Sequence, residues 1–419
     1  MFQKVKGVAD NFFDMRYVDG VIAKVEAHLA RYNFFTIQTP ILEHVSLFER
    51  GLGYQTDVVS KEMFVIQSRG NHEDLICLRP EGTAGAMRAY LEYQHQLAAP
   101  CKVFFVGPMF RYERPQKGRF RQFHQINIEI FKADSILYDA QFLTMLHQLF
   151  VQVLNIQSFV LRLNFLGSPD DRKRFAEQFV LFLRPQADQL CEVCKVRLDT
   201  NPLRVMDCKS VTCQQLIKDA PRLHSFLSEQ SLQEWQILQD TLHEHGVTFA
   251  VDSLLVRGLD YYNKTVFEFV SVSDELGSQN TFCGGGRYDG LAQQLGNKQQ
   301  ISALGCGIGL ERLLMLLEPQ RARFELPAPE LVCVIPVESE QDSLALHLMQ
   351  YLVTQGKCAE VLLDGSKIKQ KMKKADDLKA RYVIIVGHDE QQNNTAILKD
   401  MVTGEQKTVV QTELVQSMR

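Results

Sequence analysis

The chain has no apolar run approaching the ~20 residues needed to span a bilayer. Its opening, MFQKVKGVADNFF, carries no apolar core of a secretory signal. Neither a membrane protein nor an exported one is expected. A dominant charge is missing too: 46 Lys and Arg stand against 50 Asp and Glu, for a net charge of −4. Any contact with nucleic acid must then come from a local patch. Without an export signal, the ten cysteines are expected to be reduced thiols rather than a disulfide framework, and the expected location is the cytoplasm. What is present is ordinary for a globular protein: 45% hydrophobic and 23% charged residues, over 419 positions that suffice for two or three domains.

The stretch from Phe110 to Phe131, FRYERPQKGRFRQFHQINIEIF, organises the rest. It reads as a strand, a basic loop and a second strand. Arg111 and Glu113 are two apart, so a strand would place them on one face. Arg114, Lys117, Arg119 and Arg121 fill a loop opened by Pro115 and turned by Gly118. Ile126, Ile128 and Ile130 then alternate with Gln125, Asn127 and Glu129, giving a core face and a polar face. Guanidinium forks match phosphate oxygens, so the arginines suit a polyphosphate. A solvated, salt-bridged hairpin tip fits the same residues.

In chain order, residues 15–31 have helical spacing, with Asp14 placed to cap the start. FFTIQTPILEH is extended around Pro40. MFVIQS and LICL, separated by the polar turn SRGNHED, form a hairpin whose second strand enters a helix. Pro80 and Gly82 make that step sharp and present Glu81 and Thr83 at the top of a sheet; Thr83 also suits a helix cap. Residues 168–250 are helical in pattern, contain the single tryptophan, Trp235, and read as an inserted module. Within them Cys191, Cys194, Cys208 and Cys213 have paired spacing that can hold tetrahedral zinc. The second pair is wider than usual, however, and free thiols are the preferred reading.

Glycine and aromatics dominate residues 251–309. Arg257 opens RGLDYY, and Gly284, Gly285 and Gly286 follow in TFCGGGRYDGL, suggesting either close approach of backbone to a ligand or a permissive turn. Gly305, Gly307 and Gly309 alternate in a strand that lacks side chains on one face. Arg312 sits in the first turn of the next helix, against the macrodipole, where an anionic ligand would explain it. After the linker ARFELPAPE, residues 326–419 alternate strands and helices as a small α/β domain with a mainly parallel sheet. Lys367, Lys369, Lys371, Lys373 and Lys374 crowd one helix there, as a solvated face or a phosphate contact.

Taken together, FRYE with its loop and FHQINIE, GIGLER, RGLDYY and GGGRYDG resemble class II aminoacyl-tRNA synthetases, and within them the histidyl-tRNA synthetase family, over nearly the whole chain. FRYE through FHQINIE looks like class II motif 2, GIGLER like motif 3, and the Pro40 segment is placed like motif 1, the family's dimer interface. Phe13 departs from the proline common at its position. The resemblance implies an α+β catalytic domain with a class II antiparallel sheet flanked by helices (residues 1–167 and 251–325), a helical insertion (168–250) and a C-terminal α/β anticodon-binding-like domain (326–419). It implies ATP as substrate with Mg2+, L-histidine and tRNA-His as partners, a homodimer, and a two-step reaction through histidyl-adenylate; the four-cysteine insertion is not assigned by the resemblance, and zinc stays disfavoured on its spacing alone. By that resemblance Arg111 and Arg257 meet the α-phosphate as the catalytic cations. Glu113 meets adenine or a metal, Phe123 stacks on adenine, and Arg119 and Arg312 grip the distal phosphates. Glu81, Thr83 and Gln125 suit the amino acid's ammonium, Glu129 and Tyr262 its imidazole, and Tyr261 and Tyr288 close the pocket. Two readings compete with this one: a synthetase-like regulatory subunit, whose kind loses the anticodon domain and erodes the RGLDYY segment, whereas this chain keeps both along with Arg111, Arg119 and Arg312; and a plain RNA-binding module, supported only by the lysine cluster, which leaves the arginine, glycine and tyrosine constellation without a role.

Overall fold

The computed structural model describes every residue except 1, 12–13, 55, 67–74, 278, 366 and 419. Phe13 and the SRGNHED turn lie outside the described residues. The chain divides into two units, Met1–Glu325 and Leu326–Arg419.

In the first unit, helix α1 (Met15–Arg31) buries Val18, Val21, Val25 and Leu29, as its spacing requires. Asp14 stands at its N-cap but makes no side-chain cap; its carboxylate instead pairs with Arg321 at 2.6 Å. Short strands β1 (Phe35–Thr36) and β2 (Leu42–His44) lead to α2 (Val45–Leu52) and then β3 (Phe64–Ile66) and β4 (Ile76–Leu78). Strands β2, β4 and β3 form a small antiparallel sheet, and β4 runs on toward α3 (Thr83–Tyr93).

The long hairpin follows, β5 (Cys101–Phe110) and β6 (Gln122–Phe131), antiparallel over its full length. Strand β5 ends at Phe110, so Arg111 and Glu113 lie in the loop beyond it and not on a strand face. Next come α4 (Leu137–Gln148) and β7 (Phe159–Phe165). Residues 168–250 carry α5 (Pro169–Leu183), α6 (Glu192–Thr200), α7 (Val211–Lys218) and α8 (Glu229–Glu244) before β8 (Ala250–Val251). Their four cysteines, expected as free thiols, are gathered: the sulphurs lie within 4.8 Å of one another. The unit closes with β9 (Asn263–Ser271), β10 (Thr281–Arg287), α9 (Leu291–Gln294), β11 (Ala303–Gly309) and α10 (Leu310–Leu317).

The main sheet runs β1-β5-β6-β11-β10-β9-β7-β8. Its interior pairs are antiparallel. Only the two-residue edge strands β1 and β8 pair in parallel. Ile126, Ile128 and Ile130 are buried on one face of β6, which turns Gln125, Asn127 and Glu129 to the other. The glycine triplet is strand, not turn.

The second unit contains β12 (Leu331–Pro336), α11 (Asp342–Thr354), β13 (Cys358–Val361), α12 (Ile368–Asp377), β14 (Tyr382–Val386), α13 (His388–Asn393), β15 (Thr395–Asp400), β16 (Gln406–Val410) and α14 (Leu414–Ser417). Its sheet, β13-β12-β14-β15-β16, is parallel only as far as β14. The final strands form an antiparallel hairpin added to its edge, so the expected mainly parallel sheet is half correct. Of the lysine cluster, Lys371 is buried and donates to the Pro336 carbonyl at 3.0 Å. Lys374 pairs with Asp364. Lys367, Lys369 and Lys373 remain on the exposed face.

Candidate active site on a glycine floor

Register explains the glycines. Gly305 faces Glu129, Gly307 faces Asn127 and Gly309 faces Gln125 across β11 and β6. On the other side Gly284 and Gly286 of β10 face Gly307 and Gly305. Residues directly opposite point the same way from a sheet, so β10 and β11 together form a floor without side chains. The polar row of β6 borders it on one side, and Glu268 of β9, opposite Gly284, on the other. A methyl group at Gly305 would overlap Glu129 Oε2, and one at Gly284 would meet the Arg257 guanidinium at 2.6 Å. The floor is bare because neighbouring side chains lie across it.

Over its outer part lies a cavity lined by Arg111, Arg119, Phe123, Gln125, Arg257 and Arg312, with Glu113 and Glu311 at its wall. Each guanidinium is held by the protein. Arg111 Nε donates to the Pro80 carbonyl at 2.8 Å, and its guanidinium lies 5.4 Å from the Phe123 ring centre. Arg119 pairs with Glu113 at 2.8 Å. Arg312 donates to the carbonyls of Gly118 (2.9 Å) and Thr281 (2.6 Å). Arg257 pairs with Glu268, yet its buried Nε has no partner among the described residues. Burial, with the nearby charges of Arg119 and Arg111, depresses the pKa of Arg312 despite Glu113. Cations packed this closely favour an anion between them.

Further along β6 the chemistry inverts. Glu129 is fully buried, accepts hydrogen bonds from Thr83 Oγ1 (2.7 Å) and Tyr288 Oη, and its pKa is pushed up to about 8 by burial, against the lowering effect of those bonds. Glu81 is buried beside it and also raised by burial. Its carboxylate accepts from the backbone N–H of Thr83 (2.8 Å) and Ala84 (2.7 Å). Glu81, not Thr83, therefore caps α3, which frees the Thr83 hydroxyl for Glu129. Tyr261 Oη reaches Glu81 Oε2 at 3.4 Å and Tyr262 Oη at 3.5 Å, and Tyr261 packs edge-on to Tyr288 with ring centres 5.5 Å apart. Tyr262, pushed up to about 12 by burial, touches Glu129 through no hydrogen bond; Tyr288 makes that contact.

All thirteen residues singled out in the sequence thus fall into two adjoining groups, termed the outer and inner chambers: seven line the outer cavity, Gln125 among them, and Glu81, Thr83, Glu129, Tyr261, Tyr262 and Tyr288 form an inner cluster of buried side chains. Several partners were not legible in the sequence. Glu268 orients Arg257, and Thr281 Oγ1 donates to Glu268 at 3.1 Å. Glu311 accepts from the His124 backbone N–H at 2.8 Å, tying α10 to β6. Arg204 Nε donates to Asp260 Oδ1 at 2.9 Å within RGLDYY. The one visible signal was Glu268, an acid set between Phe267 and Phe269 in the middle of a strand.

Comparison with known proteins gives the family. Residues 64–321 match the tRNA synthetase class II core domain (G, H, P, S and T), and residues 331–419 match an anticodon binding domain. The chain is 38% identical to a histidine–tRNA ligase of Clostridioides difficile, across 97% of this chain and 95% of that one. It is 41% identical to a histidine–tRNA ligase of Acinetobacter baumannii, across 94% and 93%. The solved structure of apo S. aureus histidyl-tRNA synthetase superposes with a TM-score of 0.82 at 31% identity, covering 99% of each chain. A class II core built on a glycine floor, an anticodon-binding domain after it, and full-length relatives of one kind place this chain in the histidine–tRNA ligase family of ATP-using class II aminoacyl-tRNA synthetases.

Proposed function

We propose that the chain activates L-histidine with ATP and transfers it to the 3′ end of tRNA-His. One observation carries the reading: a single strand, β6, borders an arginine-lined cavity at Phe123 and a buried carboxylate chamber at Glu129. Six residues at ~3.4 Å each separate them by ~20 Å, so a nucleotide and an amino acid can be laid along it. In this reading the histidine carboxylate attacks the α-phosphorus and pyrophosphate leaves. Arg111 and Arg257 stabilise the charge that develops on the α-phosphate oxygens, with Arg119 and Arg312 on the departing phosphates and Phe123 under the adenine. The orphan Nε of Arg257 is a donor awaiting such an oxygen. No general base is needed, since the attacking carboxylate is already ionised. Glu113 and Glu311 supply carboxylate oxygens of the kind Mg2+ takes, and the ion would neutralise phosphate charge when bound with ATP.

The imidazole is read by Glu129 and Tyr262, with Tyr261 and Tyr288 enclosing it, and the ammonium by Glu81, Thr83 and Gln125. A site whose buried polar groups need two ring nitrogens rejects side chains that lack them. The enzyme acts in the cytoplasm as a homodimer paired through the Pro40 region. The test is exchange of labelled pyrophosphate into ATP. Exchange with histidine and not with other amino acids, followed by charging of tRNA-His, is expected; exchange that ignores the amino acid would overturn the reading.

A further inference from the structure

Cys191, Cys194, Cys208 and Cys213 take no part in either chamber. Cys191 is the N-cap of α6 and Cys194 lies in that helix's first turn. Cys208 stands two residues before Ser210, the N-cap of α7, and Cys213 lies in the first turn of α7. Two helix N-termini thus bring two sulphurs each to one point. All four sulphurs are within 4.8 Å of one another, and those of Cys191 and Cys208 are 3.8 Å apart. A tetrahedral ion with metal–sulphur bonds of ~2.3 Å has sulphur–sulphur edges of ~3.8 Å. The backbone N–H of Cys191 donates to Cys213 Sγ at 3.3 Å, and that of Ser210 to Cys208 Sγ at 3.4 Å. Such donors, with the positive ends of two helices, favour thiolates. Four adjacent thiolates repel each other unless a cation sits among them. Three of the four cysteines are buried, so solvent ions cannot do this.

We propose that Cys191, Cys194, Cys208 and Cys213 bind one zinc ion as a closed structural site. Four thiolates in tetrahedral array select zinc or iron–sulphur chemistry, and a cage this small holds one ion, not a cluster. Four protein ligands leave no open position for catalysis. What the ion holds is the intervening segment. Arg204, between the two cysteine pairs, bonds Asp260 Oδ1 at 2.9 Å and the Gly258 carbonyl. Arg197 Nη1 supports it by donating to the Arg204 carbonyl at 3.2 Å. The metal therefore closes a loop that clamps the Arg257–Tyr262 segment, and this clamping role rests on the function proposed above.

Metal analysis of the full-length chain, purified reduced after exposure to zinc chloride and dialysis, should give one zinc per chain. C208S/C213S should lose it, while C358S, at an exposed cysteine outside the cluster, should keep it. Cobalt in place of zinc should show the visible ligand-field absorption of a tetrahedral tetrathiolate. No zinc in the reconstituted wild-type chain, zinc retained by C208S/C213S, or an octahedral cobalt spectrum would each overturn the site, whether or not the enzyme is active. Chelation that leaves circular dichroism unchanged should raise KM for histidine about tenfold, the factor one charge-assisted hydrogen bond carries, and R204A with zinc still bound should match it. An unchanged KM in both would overturn the clamp.

Discussion

The outer and inner chambers share a strand and a glycine floor, yet solve opposite electrostatic problems. In the outer one, four arginines converge, and burial with mutual repulsion depresses the pKa of Arg312. Protein carbonyls and the carboxylates Glu113 and Glu268 hold them, leaving a donor of Arg257 unpaired. In the inner one, two carboxylates are buried and bonded by hydroxyls and backbone N–H groups, and burial raises both. The outer chamber is left short of negative charge, which ATP phosphates supply in the function proposed above. The inner one is nearly self-satisfied, so an incoming ring must exchange bonds already made. Affinity belongs to the first and discrimination to the second.

The sharpest way to separate them is R257A. Adenylate formation should fall ~10²–10³-fold, with histidine KM changed by no more than about threefold. A matching loss of histidine binding, followed by equilibrium dialysis, would mean that Arg257 holds up the inner chamber as well. Next is G305A, whose new methyl group displaces Glu129. Overpacking of this kind costs ~1–3 kcal/mol, and histidine KM should rise at least tenfold while KM for ATP stays put. If ATP suffers equally, the chambers are not separable.

E129Q addresses the inner charge alone. The folded pKa of Glu129 is about 8, above the ordinary 4.5. Between those values the unfolded chain has lost a proton that the folded one keeps, so stability falls as pH rises through that window. Denaturant unfolding of E129Q at pH 5 and pH 8 should show a shallower fall, by up to a few kcal/mol. An unaltered slope would mean that Glu129 is already ionised. Smallest is T83V, which should cost ~1 kcal/mol through the lost bond to Glu129 and leave α3 intact, because Glu81 caps it. Fraying of α3 by hydrogen exchange would return the cap to Thr83.

Local patterns were readable and long-range ones were not. The alternation of Ile126, Ile128 and Ile130 reports a buried face wherever the strand pairs. The bare face of Gly305, Gly307 and Gly309 was legible as a bare face, but what lies across it was not. That depends on register with Glu129 and Gln125, over 170 residues away in sequence. The end of β5 at Phe110 was misjudged because alternation continues into the loop while pairing stops. Asp14 looked like a cap and found Arg321 instead, a partner no local spacing announces. The cysteines are the plainest case. A four-residue gap looks wrong for a metal pair until the N-cap of α7 is placed inside it, bending the chain so that both sulphurs face one way.

Gly305 and Glu129 occupy one volume between them. That makes their histories inseparable. A lineage that gained a side chain at position 305 would have to shorten or lose the one at position 129 in the same interval, and with it the group proposed to meet the imidazole. The two positions should therefore covary as a unit, kept together in enzymes that charge histidine and released together in relatives that have given it up.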